Sequence, residues 1–152
     1  MTDPVAFTST TARHALPMLF VGQSQKETTV NEALLLADIL LHPVVQGTSA
    51  SAPAAPTVGA CWIVATSAVG AFAGREDTIA AWSEGGWRFV APHAGLRVHD
   101  ASRGCQLTYA GSWQRSVAPP APSGGTVVDA QARTAIGAIL GLLQSSGIFS
   151  TS

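Results

Sequence analysis

Seven aromatic side chains crowd the middle of the chain: Trp62, Phe72, Trp82, Trp87, Phe89, Tyr109 and Trp113. Flat aromatic faces set in a row hold sugar rings, so Trp82, Trp87, Tyr109 and Trp113 are the candidate platform of a carbohydrate-binding module. Aromatic rings also bury about 150–250 Å² each, and a sheet otherwise rich in Ala and Val needs them for its core. Core or interface is the stronger reading. Trp87 and Phe89 are assigned to opposite faces, one inward and one free for contact.

A polar run over residues 22–33, GQSQKETTVNEA, is the second candidate. It gathers Gln23, Gln25, Lys26, Glu27, Asn31 and Glu32 in a chain otherwise poor in charge. Caps and acids belong at a helix N-terminus, and the same residues make a candidate docking segment.

Support for catalysis is thin. His93, His99 and Asp100 are the nearest approach to a metal-ligand cluster, and they read as exposed polar ends of a strand. Glu76, Asp77 and Glu84 read as solvated loop carboxylates rather than a paired acid and base. Nucleophile-elbow, zinc-protease, P-loop and dinucleotide motifs are absent from the sequence. No enzyme, cofactor or metal is expected. Cys61 and Cys105 have neither metal nor framework spacing and are expected as buried free thiols.

The composition narrows the partners. Of 152 residues 11% are charged, with 8 Lys+Arg against 9 Asp+Glu, and 47% are hydrophobic. Scattered basic residues cannot neutralise a run of phosphates, which excludes a strong nucleic-acid surface. So apolar a chain folds, and so little charge opposes self-association weakly. The longest apolar runs fall short of the roughly 20 residues that span a bilayer. The N-terminus, interrupted by Pro17, does not read as a signal peptide.

The elements that must position these residues follow from periodicity. Residues 1–46 read as an extended arm followed by a helix, in which Val30, Ala33, Leu34, Ala37, Leu40 and Leu41 keep the helical period. Leu35, Leu36 and Ile39 widen the stripe until the helix is apolar nearly all round, which predicts burial on several sides. Ser24 and Glu27 have capping-box spacing, and Pro43 stops the helix. Residues 47–57 and 118–125 read as Pro/Ala/Ser/Gly linkers, long enough to place a helix on another subunit.

Between the linkers, residues 58–117 read as a β domain. Ile79 to Trp82 and Trp87 to Val90 flank a glycine turn, as do Gln106 to Tyr109 and Trp113 to Val117. AWSEGGWRFVAP and TYAGSWQRSVAP look like two copies of one hairpin, about 26 residues apart. Residues 126–152 read as a terminal helix capped by Thr126 or Asp129 and ended by Gly147. Its stripe of Ile136, Leu140 and Leu143, with Gly137 and Gly141 beside it, is the candidate oligomer or partner helix. The expected class is α+β: a small antiparallel meander or sandwich flanked by two helices.

Four blocks carry a resemblance: ARHALPMLFVGQSQKETTVNEAL, GACWIV, TIAAWSEGGWRFVAPHAGLRV and GGTVVDAQARTAIGAIL. Together they resemble a family of uncharacterised proteins from tailed phages, prophages and gene transfer agents of alphaproteobacteria. The resemblance implies a structural virion protein, at the base of a head spike, with a capsid protein and a spike fibre protein as partners. It implies a homo-oligomer, a pentamer at a five-fold vertex or a trimer in a fibre, with host capsule polysaccharide touched only indirectly. Ending at its terminal helix, the chain is expected to be an adaptor rather than a whole fibre. The family offers no catalytic residues.

Overall fold

A computed structural model describes residues 7–22, 26–126 and 128–150. In chain order its elements are α1 (Glu27–Leu41), β1 (Val44–Val45), β2 (Thr48–Ser49), β3 (Cys61–Val64), β4 (Ile79–Ser83), β5 (Gly86–Val90), β6 (Arg97–Asp100), β7 (Cys105–Tyr109), β8 (Trp113–Arg115) and α2 (Ala130–Ser145). The class is α+β, with an N-terminal and a C-terminal helix flanking two four-stranded sheets. The single β domain expected over residues 58–117 is instead divided. One compact unit holds the chain up to Pro43 together with Thr48–Ala91, and the other holds Val44–Gly47 with Pro92–Ser152.

The internal repeat explains the division. The first unit's sheet runs β2-β3-β4-β5 and the second's runs β1-β6-β7-β8. Each is a two-residue strand, paired parallel, followed by a three-stranded antiparallel meander. The matching aromatics occupy matching places: Trp82 pairs with Trp87 across one hairpin and Tyr109 with Trp113 across the other. The first turn has two residues between its strands and the second has three, with Gly111 at φ 85°. A left-handed backbone at that tip favours glycine.

The segment expected as the first linker is partly sheet. Thr48 and Ser49 pair with Ile63 and Val64, and Ser49 and Ala50 accept hydrogen bonds from the N–H groups of Ala65 and Val69. Two-residue strands carry no readable period, and the Pro/Ala/Ser composition around them is that of a linker. The second linker has no regular structure over residues 117–125.

In the first unit's sheet, register places Cys61, Ile63, Ile79, Ala81 and Ser83 on one face, and all are buried. Trp62, Val64, Ala80, Trp82, Trp87 and Phe89 take the other. Trp87 and Phe89 therefore share a face, contrary to the expectation, because side chains two apart on a strand point the same way. Fully buried Phe72, on the short 3-10 turn Gly70–Phe72, covers that face with its ring edge-on to Trp87 at 5.0 Å and Phe89 at 6.0 Å. In the second unit Val45, Val98, Cys105 and Leu107 are buried, and Val98 pairs with Leu107.

The helices are less buried than their apolar content predicts. In α1 only Asp38 and Ile39 are buried, and Leu41 is 61% exposed. In α2 no residue is buried. Both ends of α2 match the sequence reading. Asp129 caps it by accepting the Ala132 N–H at 2.9 Å. At the C-terminus Gly147 adopts φ 75°, its N–H bonds the Gln144 carbonyl, and the Ile148 N–H bonds that of Leu143. These two bonds make a Schellman end.

Candidate functional site

The first unit is organised around one charge that the sequence reading passed over. Asp38 sits in the apolar run ALLLADILL of α1 and is 3% exposed. A buried carboxylate requires hydrogen-bond partners, and the arm supplies them. Thr11 Oγ1 donates to Asp38 Oδ1 at 2.8 Å, the Arg13 N–H to Oδ2 at 3.0 Å and the His14 N–H to Oδ1 at 2.7 Å. His14 Nδ1 lies 3.1 Å from the same carboxylate. Burial alone would raise the pKa of Asp38, but these bonds outweigh it and hold the carboxyl below its usual range.

Asn31 ties down the next stretch of arm. Its Oδ1 accepts the Leu19 N–H and its Nδ2 donates to the Leu19 carbonyl, both at 2.9 Å. Arg13 completes the attachment by donating to the carbonyls of Ile39 at 3.0 Å and His42 at 2.6 Å. From the sheet, Arg88 Nε reaches Glu32 at 2.9 Å.

Arm, helix and the β4–β5 hairpin enclose a cleft of about 300 Å³, lined among others by Met18, Leu35, Ile39, Trp82, Arg13 and Arg88. Of the charged groups on its walls, Asp38 is engaged with the arm, Arg13 with carbonyls and Arg88 with Glu32, while Glu84 is exposed. Apart from these groups its walls are largely apolar, which suits an apolar group.

The docking candidates therefore divide. Gln23 and Gln25, with the Ser24 cap, lie outside the described residues. Lys26 is exposed at the helix start and makes no side-chain cap. Glu27 accepts the Gly22 N–H at 3.3 Å, and Asn31 and Glu32 hold the arm and sheet to α1. A mid-helix Asp among leucines was the available signal for this arrangement.

The platform candidates fall as two pairs, one in each unit, and all four residues are half-buried. Trp82 and Trp87 meet at 5.1 Å with planes at 60°, and Tyr109 and Trp113 at 5.3 Å and 64°. Trp62 adds an edge contact to Trp87 at 5.7 Å and 72°. Rings crossed in this way pack as a core does; they do not form a flat shelf.

Asp100, expected as an exposed strand end, is fully buried. Its own turn surrounds it: the Ser102 N–H at 2.9 Å, Ser102 Oγ at 2.6 Å and Arg103 Nη1 at 2.7 Å. Burial opposes ionisation, and these donors overcome it, lowering its pKa. His99 is half-buried and His93 exposed. Among the described residues no group of three or more His, Cys, Asp or Glu could hold a metal ion, and no helix is long and apolar enough to cross a membrane. Cys61 and Cys105 are free and buried. Burial, offset at Cys61 by Arg13 and reinforced at Cys105 by Asp100, raises both thiols.

The oligomer candidates all lie on α2. Ile136, Gly137 and Gly141 are exposed, and Leu140 and Leu143 are half-buried. The helix is fixed at its C-terminal end, where the Gly147 carbonyl accepts the Gln106 N–H at 2.7 Å and Phe149 bridges to Ser116. From that anchorage it extends for about 24 Å, at 1.5 Å per residue.

Residues 30–114 match the family described as "Protein of unknown function (DUF2793)". No curated protein matches the chain.

Proposed function

We propose that this chain, which belongs to the DUF2793 family, is a structural protein of a phage-like particle. In this reading it is a homo-oligomeric adaptor at the base of a head spike, joining a capsid vertex to a host-binding fibre. The resemblance of the four sequence blocks suggests the particle. The observation that carries the oligomer is α2: a helix of 16 residues with none buried and Ile136, Ile139 and Leu142 at 41%, 55% and 69% exposure. An isolated helix of that length is marginal in water, and exposed aliphatics gathered along one helix offer a surface for contact with another chain. The adaptor's work is mechanical, and no nucleic acid, membrane or cofactor enters it.

Native mass spectrometry of the intact protein tests this reading. A closed ring of five copies is the expected result. Three copies would move the protein to a fibre shaft, and a monomer at micromolar concentration would overturn the adaptor.

The alternative is a carbohydrate-binding module of a fibre or spike. Its one structural support is Trp82, which lines the cleft. Binding of host surface polysaccharide by the wild type, lost in a folded and assembled Trp82→Ala variant, would establish it over the adaptor.

A further inference from the structure

The outward sides of α2 differ in a way that selects an occupant. At about 100° per residue, Ile136, Ile139 and Leu142 follow one another three apart and form a single exposed ridge. Gly137 and Gly141 lie about 180° round the helix from that ridge. A Cβ placed at either glycine would meet nothing within 4 Å outside the helix's own backbone. Thr134 and Ala138, both exposed, continue this second side with small residues. The helix thus has a bulky ridge on one side and a shallow groove four residues in period on the other.

Ridges three apart fit grooves four apart at a crossing angle of about 20°, the near-parallel packing of helical bundles. Glycine in a helix interior is unfavourable, and close approach of a neighbouring backbone gives both glycines a reason. Charge narrows the partner further. Arg133 is the one charged residue of α2, and its side chain donates to the Gly124 carbonyl of the same chain. Burying this surface against a charged partner would leave charges uncompensated. An uncharged helix with matching ridge and groove is the fitting occupant, and α2 of another copy is such a helix. By contrast α1 carries Glu27, Glu32 and Asp38.

We infer that α2 packs head-to-tail with α2 of neighbouring copies, the Ile136/Ile139/Leu142 ridge of one seated on the Gly137/Gly141 groove of the next. This deepens the adaptor reading and rests on it. The contact is heterologous, so it closes into a ring only when its rotation closes. In a tight bundle of few helices each helix makes both contacts on its inward side. Contacts on opposite sides fit a wider ring, which selects against the three-copy alternative.

Paired cysteines test the packing, with buried Cys61 and Cys105 left in place. Differently tagged Ile139→Cys and Ala138→Cys chains are co-expressed, oxidised and separated on a denaturing gel, beside the native mass of the wild type. The expected product is a mixed disulfide carrying both tags, with none from Ile139→Cys expressed alone. Gly141→Leu, which fills the groove, is expected to lose the oligomer while keeping its near-ultraviolet tryptophan signal. Homodimers of Ile139→Cys in place of the mixed product would show like faces meeting and overturn the head-to-tail contact. An intact oligomer with no cross-link, or one unchanged by Gly141→Leu, would overturn the inference alone and leave the adaptor standing. A monomeric wild type would remove both.

Discussion

Replacing Asp38 with alanine removes the group on which the arm is hung. Thr11 Oγ1, the Arg13 N–H and the His14 N–H lose their acceptor together. A buried donor left unsatisfied costs about 1–3 kcal/mol. Thr11 is 3% exposed and the other two bonds are only partly buried, so water can recover part of theirs. The expected loss is about 2–4 kcal/mol, a large part of the roughly 5–15 kcal/mol that holds a domain folded. Urea unfolding followed by the fluorescence of Trp62, Trp82 and Trp87 measures it. The pH dependence supplies an independent check. The carboxyl of Asp38 titrates below its ordinary value of 3.8 in the fold. Its contribution is therefore complete above that value and is lost as pH falls through the lower, folded one. Asp38→Asn should flatten this acid limb. A loss below about 0.5 kcal/mol for Asp38→Ala, at the level of an ordinary surface change, would refute the anchoring role.

Ile139→Asp puts an unpaired charge in the α2 contact and should abolish assembly, read by native mass, while the near-ultraviolet tryptophan signal stays. Phe72→Ala empties the space against Trp87 and Phe89 and should cost about 3–5 kcal/mol in urea. Asn31→Ala removes both bonds to Leu19 and should cost about 1–3 kcal/mol, with faster amide exchange at Leu19 as the local signature. Cys61 and Cys105, buried and shifted toward the thiol, should resist a thiol reagent at pH 8 until denaturant is added.

Local signals in the sequence match the structure closely. The two hairpins lie within a residue or two of their expected strands, because a glycine turn between aromatic strands is a short-range code. Asp129 and Gly147 bound α2 for the same reason: a cap and a left-handed terminus act within a few residues. Non-local features were not legible. Val44–Val45 and Thr48–Ser49 become strands only because β6 and β3 present edges to them, and nothing in their own composition says so. Asp38 looks like a polar interruption until Thr11 and His14 are seen folding back upon it. The open surround of Gly137 and Gly141 depends on what does not approach α2, which no periodicity can report.

The pairing of β1 and β2 has a consequence for folding order and divisibility. Residues 44–49 serve both sheets in turn, β1 beside β6 and β2 beside β3. The boundary between the units is therefore interleaved along the chain and cannot be placed at one peptide bond. Cleavage after Ala91 would release a C-terminal fragment lacking Val44–Gly47, and with them the parallel edge of its sheet and the fully buried Val45. During synthesis the first unit has all its strands once Val90 has emerged. Val44 must wait for His99, its register partner, so the second unit closes a long chain loop that contains a unit able to form before it. Evolutionary shuffling that exchanged one sheet by a single crossover would meet the same obstacle, and the pair would tend to be inherited as one block.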